Sequence, residues 1–143
     1  MKINQLSIFV ENRKGKLAEC LNILGKAGVD IRASSIADTK DFGILRIIAS
    51  DTDKAKKALN EAGFVVAINE VLGIAVDDTP GALAKVVDAL SEDEVNIEYM
   101  YAFITASKEY AYVVLRVDDN EKCNECLTKN NVKILTPEDI AAV

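Results

Sequence analysis

The residues best suited to chemistry lie in one stretch, V-D-D-T-P-G-A-L, from Val76 to Leu83. Asp77, Asp78 and Thr79 carry side-chain oxygens that accept unpaired backbone N–H groups, which suits turns and helix N-caps. Pro80 has a fixed φ and no N–H, which suits a first helical position. Gly81 lets another backbone or a ligand approach closely. After Ala82, the residues Leu83, Val86, Val87 and Leu90 recur at helical spacing. A strand thus feeds a helix N-terminus, where free N–H donors and the positive dipole end can hold an anion such as a carboxylate. An ordinary strand-to-helix turn uses the same residue types, so the stretch alone leaves both possibilities open.

A weaker echo, V-E-N-R-K-G-K-L, runs from Val10 to Leu17. Glu11, Asn12, Arg13, Lys14, Gly15, Lys16 and Leu17 stand where the later turn has Asp77 to Leu83. An offset of 66 also places Leu90 on Leu24, Val95 on Val29 and Ile97 on Ile31. Past a two-residue insertion, an offset of 68 places Leu115 on Ile47, Asp119 on Asp51 and Leu127 on Leu59. These matches indicate an internal duplication, with units at 1–69 and 70–143.

The elements that carry the turns follow from periodicity. In the first unit Asn4 to Val10 alternates as a strand, with Leu6, Ile8 and Val10 on one side and Ser7 and Phe9 on the other. Gly15 to Ala27 reads as a helix with Leu17, Cys20, Leu21, Leu24 and Ala27 on its inner face. Ile31 to Asp38 is an edge-like strand, Lys40 to Gly43 a turn, and Ile44 to Ala49 an apolar central strand. Asp51 caps a second helix, and Phe64 to Ile68 forms a fourth strand before Val71 to Val76 opens the second unit. Each unit reads β-α-β-β-α-β, an α+β ferredoxin-like sandwich of an antiparallel sheet with helices on one face. Side-by-side pairing of the two units into an eight-stranded sheet would protect their edges.

Composition narrows the function. Residues 1–70 hold 11 Lys/Arg against 9 Asp/Glu, residues 71–143 hold 6 against 14, and the whole chain carries −6. An acidic second half opposes binding to a phosphate backbone. No apolar run approaches the ~20 residues that span a bilayer, and no leader pattern opens the chain, so a soluble cytoplasmic protein is expected. There is no histidine, hence neither the commonest general base nor a major metal ligand. No nucleophile, phosphate-loop or dinucleotide motif is present, and no cofactor or metal is expected.

Two further features invite sharper interpretations. Cys123 and Cys126 share a helix face, but the repeat aligns them with Ala55 and Ala58, so small buried residues are expected there. Tyr99, Tyr101 and Phe103 alternate along one sheet face. They could stack bases, although the acidic charge favours packing.

The β-α-β-β-α-β order, D-T-P-G-A-L from Asp78 to Leu83, and V-N-I from Val95 to Ile97 together resemble the ACT domain, a regulatory module of amino-acid metabolic enzymes. In that family an Asp or Asn before the Pro-Gly, the glycine, and an Asn opening the second strand shape the effector pocket. The resemblance therefore implies a pocket at Asp78, Pro80, Gly81 and Asn96, with Asp77, Thr79, Ala82, Leu83 and Ile97 beside them. In the first unit E-N-R-K-G-K-L is similar to the regulatory domains of phosphoglycerate dehydrogenase. Asn12, Gly15 and Asp30 hold the matching places there, with Ile31 next in line. Lys14 stands where proline is usual, and Asp30 where Asn is usual. The resemblance implies a non-catalytic regulator that binds an amino acid or small carboxylate at ACT–ACT interfaces. It also implies a homodimer that acts on a partner enzyme of amino-acid metabolism. A ligand-free oligomerisation module and an RNA-binding ferredoxin-like protein are the competing readings.

Overall fold

A computed structural model describes residues 2–38, 42–104 and 109–143. The element order is β1 (Ile3–Glu11), α1 (Lys16–Lys26), β2 (Ile31–Asp38), β3 (Phe42–Ala49), α2 (Thr52–Glu61) and β4 (Val65–Asp77). It continues with α3 (Ala82–Glu92), β5 (Ile97–Ala102), β6 (Tyr110–Val117), α4 (Asn120–Lys129), β7 (Lys133–Ile134) and α5 (Pro137–Ala141). The chain forms two compact units. One is Asn4–Asn69; the other is Glu70–Val143 joined by the chain start up to Ile3.

The N-terminal unit orders its strands β2-β3-β1-β4, so the most apolar strands are central and β2 lies at the edge. The antiparallel β1/β3 register pairs Leu6 with Ile47 and Val10 with Gly43. Leu6, Ile8 and Val10 point to one face, because strand side chains alternate. There they meet Cys20 and Leu24 of α1 and Ala55 and Leu59 of α2. The inner face of α1 differs from the expectation. Ile23 and Ala27 join Cys20 and Leu24 against the core, whereas Leu17 and Leu21 stay more than a third exposed. Ser7, on the other face, is buried, and its hydroxyl donates to Asn69 Oδ1 at 2.6 Å, which satisfies its polar group away from water.

The C-terminal unit repeats the plan as β5-β6-β4-β7. Leu72, Ile74 and Val76 of β4 and Val113, Leu115 and Val117 of β6 pack under Val86 and Leu90 of α3 and Cys123 and Leu127 of α4. α2 and α4 begin in the same way. Asp51 accepts from the Lys54 N–H at 3.0 Å, and Asp119 from the Lys122 N–H at 3.1 Å. Such a cap contributes about 1 kcal/mol.

Three expectations need correction. The fourth strand of the first unit and the first strand of the second are one continuous strand, β4, so the described residues hold seven strands rather than eight. No Gly or Pro interrupts Val65 to Val71, so nothing stops the ladder there. β3 starts two residues earlier than expected, at Phe42, while Lys40 of the expected turn lies outside the described residues. Finally, α5 was not anticipated. Thr136 and Asp139 cap each other reciprocally at its start, with Pro137 in the first turn. The Thr136 backbone N–H holds the Asp139 carboxyl below its usual range.

Gly73 sits where β4 is approached most closely. A Cβ there would lie 2.7 Å from Ile3 Cδ1 and 3.3 Å from Leu135 Cβ. Ile3 can turn aside, but Leu135 is anchored by its N–H donating to the Gly73 carbonyl at 2.7 Å. Gly73→Val should therefore destabilise by about 1–3 kcal/mol through overpacking, read by urea unfolding. An unchanged midpoint would show that the two neighbours are not fixed.

Candidate functional site

Both turns are built alike, bond for bond. In the C-terminal unit the Thr79 N–H donates to the Asp77 carbonyl at 2.9 Å, and the Ala82 N–H to the Thr79 carbonyl at 3.2 Å. In the N-terminal unit the Arg13 N–H donates to Glu11 at 2.7 Å, and the Lys16 N–H to Arg13 at 3.1 Å. Gly81 has φ +83 and ψ −5, and Gly15 has φ +89 and ψ −13. These are type II turns. Pro80 or Lys14 stands at the second position, and a left-handed glycine at the third. Pro80 therefore lies in the turn and not at the first helical position. The proposed caps are also absent, since Gly81 itself is the N-cap and no side chain caps α3. The same holds for Gly15 and α1. The reason is geometric. Each helix begins directly at the left-handed glycine, which has no side chain with which to cap it.

A further pair of residues repeats at the start of the second strands. The Asp30 N–H donates to Ser50 Oγ at 2.9 Å, and the Ser50 N–H returns to the Asp30 carbonyl at 2.8 Å. The Asn96 N–H donates to Asp118 Oδ1 at 3.0 Å, and the Asp118 N–H returns to the Asn96 carbonyl at 3.1 Å. Asp30 also pairs with Arg32 at 3.0 Å. Within one unit these residues are far from the turn. Ile31 pairs with Ala49, at the end of β3 opposite Phe42, which pairs with Glu11. Seven residues of strand separate the two ends by roughly 20 Å. Ile97 and Asp77 are divided in the same way along β6, at Val117 and Tyr110. Each unit thus groups Glu11 to Leu17, or Asp77 to Leu83, and leaves Asp30 with Ile31, or Asn96 with Ile97, at its other end.

Each turn borders a cleft whose walls come from four segments. In the C-terminal unit these are the end of β4 (Ala75 and Asp77), the turn and α3 (Thr79, Pro80, Ala82 and Lys85), Tyr110 of β6, and Asn130 to Lys133. The N-terminal cleft uses the repeat positions: Phe9 and Glu11, Lys16 and Glu19, Phe42, and Ala62 to Val65. Their volumes are about 420 Å³ and 180 Å³. Only the first reaches the roughly 300 Å³ usual for a small-molecule site. On its other side, the Gly15 turn borders a groove of about 220 Å³ lined by Asn12, Arg13, Leu17, Ile36 and Gly43. Sequence reasoning did not find Lys85, Tyr110, Asn130, Asn131 or Lys133. The matched offsets carry a signal, since Tyr110, Asn130, Asn131 and Lys133 are more polar than their counterparts and Lys85 reverses the charge of Glu19.

The cysteines and the aromatic row have structural surroundings. Cys20, Cys123 and Cys126 are free and buried. Burial, and next to it the Glu19 carboxylate, pushes the Cys20 thiol up to about 11. Burial, followed by the neighbouring Cys126, pushes Cys123 up to about 12. Thiolates are the reactive form, so these thiols are quiet at neutral pH. Tyr99 and Tyr101 stack with centroids 6.4 Å apart, and Phe103 meets Tyr112 edge-on at 6.1 Å. Phe103 is buried.

Two four-stranded units with equivalent uncapped glycine turns define a tandem ferredoxin-like protein. The chain belongs to the ACT domain pair family, whose model matches residues 1–143. A crystal structure of protein BT0572 from Bacteroides thetaiotaomicron is 45% identical, with a TM-score of 0.93 over 100% of this chain and 98% of that one. The regulatory subunit of aspartate kinase from Thermus flavus shares the fold at 15% identity and TM-score 0.61, over 88% of this chain and 90% of that one. The ligand-free subunit from Thermus thermophilus gives 16% and 0.60, over 88% and 91%. No curated protein sequence matches this one.

Two outcomes are expected. Gly81→Ala and Gly15→Ala should each cost about 1–2 kcal/mol in urea unfolding, because an L-residue is strained in the left-handed region. Nothing lies within 4 Å of either added Cβ, so the cost is purely conformational. Asn at either position should cost less than Ala, and equal costs would contradict that origin. In thiol labelling at neutral pH the native protein should not react, and unfolding should release three thiols. Rapid labelling of the native protein would contradict their burial.

Proposed function

We propose that this chain is a non-catalytic regulator that binds an amino acid or a similar small carboxylate at its ACT units. Occupancy changes its contact with an enzyme, or a regulator, of amino-acid metabolism. The observation that carries this reading is the contrast among helix starts. α2, α4 and α5 each begin with a side-chain cap, from Asp51, Asp119 and Thr136. α1 and α3, which follow the glycine turns, have none. Their first-turn N–H groups and positive dipole ends suit a ligand carboxylate. Membership in the ACT domain pair family supports the regulatory role.

The ammonium of an amino acid needs an acceptor, and Asn12, Asp30, Asp78 and Asn96 can each supply one. The turn and the second-strand start lie at opposite ends of a unit. A pocket that uses both therefore takes its second strand from another unit, and a homodimer supplies such surfaces. Action in trans, in the cytoplasm, follows from the same reading. A ligand shifts the protein between states only by binding one of them better.

A thermal-shift screen of the full chain against the twenty amino acids and a few keto acids tests this. A ligand at a hundred times its dissociation constant stabilises by about 2.7 kcal/mol if it binds only the folded form. For a chain of this size, that is a rise of roughly 5–12 °C. A selective rise is expected. A flat response to every compound would contradict the reading and favour an oligomerisation module.

A further inference from the structure

β2 and β5 are the outer strands of their units, and they differ. Among the described residues β2 pairs with β3 alone, so its outer side offers backbone N–H and C=O groups to a further strand. Its register is regular from Ala33 to Asp38, with the one shift confined to Ile31/Ala33. No Pro or Lys, the residues that natural edges use against pairing, stands in Ile31–Asp38. β5 is shorter, and its register is regular only from Tyr99 to Ala102.

The apolar side chains beside the two edges differ as well. Leu17 is 37% exposed, Leu21 38% and Ile36 51%. Leu17 and Ile36 line one groove with Val10 and Gly43, and Leu21 follows Leu17 one helical turn on, along the same face of α1. At the matching positions of the C-terminal unit, Leu83 and Val87 are half-buried and Ala102 is small. The sister unit folds without an exposed apolar row at this place, so the row is not a requirement of the fold. Charge separates the units in the same sense. Residues 1–70 hold 11 Lys/Arg against 9 Asp/Glu, and residues 71–143 hold 6 against 14. Two N-terminal units can therefore approach closely, whereas two acidic C-terminal units repel one another.

We propose that two copies of the chain pair edge to edge through β2 of their N-terminal units. The occupant is a second copy because an edge strand complements itself when it runs antiparallel across a two-fold axis, and the axis sets Leu17, Leu21 and Ile36 of one copy against those of the other. The pairing lays the start of one β2 beside the end of the other. That end adjoins the Gly15 turn, since Asp38 pairs with Gly43 and Gly43 with Val10. Asp30 of the second copy thus comes to the groove that holds Asn12 and Arg13. The inference rests on the regulator reading for its need of a second unit, and it names the surface that supplies one.

Analytical ultracentrifugation of the full chain over a range of concentrations tests it. A dimer that dissociates on dilution is expected. Leu21→Lys and Ile36→Lys change exposed side chains and should each weaken the dimer by about tenfold or more, because an ammonium group is then buried without a partner. Met100→Lys, on the exposed edge of the C-terminal unit, should leave it unchanged. Circular dichroism checks that each variant folds. A second measurement needs no variant: amide exchange from Ala33 to Ala37 should slow as the native chain is concentrated. Dimers weakened by Met100→Lys and not by the other two would overturn the proposal, as would amide exchange in β2 that ignores concentration. A native chain that stays monomeric yet is stabilised by an amino acid would overturn the edge pairing and leave the regulator reading standing. A dimer broken by both β2-edge variants that responds to no amino acid would support the pairing and overturn that reading.

Discussion

The left-handed glycine between strand and helix is the constraint on which each unit depends. β1 and β4 deliver apolar rows that must be covered by helices on one face. The chain has to reverse within a few residues to place α1 and α3 there. A type II turn does this only if its third residue accepts φ near +85, and Gly15 and Gly81 do, at φ +89 and +83. The same geometry has a chemical consequence. It leaves the helix without a side-chain cap, so the donors that a Ser or Asp would satisfy elsewhere face the outside. Fold and binding capacity thus share one backbone feature, and a residue chosen for the turn also sets what the helix end can hold.

Duplication leaves the two units alike where the fold requires it and different where it does not. The hydrogen bonds of the two turns match within a few tenths of an ångström, as do the backbone pairs at Asp30–Ser50 and Asn96–Asp118. Those are positions the fold needs. The cleft walls are not under that constraint. Phe9 and Phe42 line the N-terminal cleft, and Ala75 and Tyr110 stand at the same places in its larger counterpart. Cys123 in place of Ala55 shows the same freedom inside the core, where a small thiol packs as readily as a methyl group.

Much of this was legible in the sequence, for identifiable reasons. The matched offsets located both turns and both β-α-β-β-α-β units, and Asp51 announced its helix, because these signals are local. What failed was mostly non-local or competing. Leu17 and Leu21 fit the helical period but face outward, since the sheet accepts Cys20, Ile23, Leu24 and Ala27 instead. The two expected strands around residue 70 are one, because Asn69 and Glu70 interrupt the apolar pattern without breaking a strand. T-P-E-D, from Thr136 to Asp139, is a local helix-start signal that the repeat pattern does not carry, since the first unit has no counterpart to α5. The clefts could not be seen, because their walls meet only when four segments fold together.

The central claim is that the uncapped helix ends beside Gly15 and Gly81 hold a ligand carboxylate. The most direct test follows the backbone amide signals of Leu17, Ala18, Leu83 and Ala84 by nuclear magnetic resonance as the stabilising amino acid is added. The account predicts that these first-turn amides of α1 or α3 shift most and saturate with the ligand, while the capped starts at Lys54 and Lys122 stay still. Saturable shifts confined to other parts of the chain would contradict it.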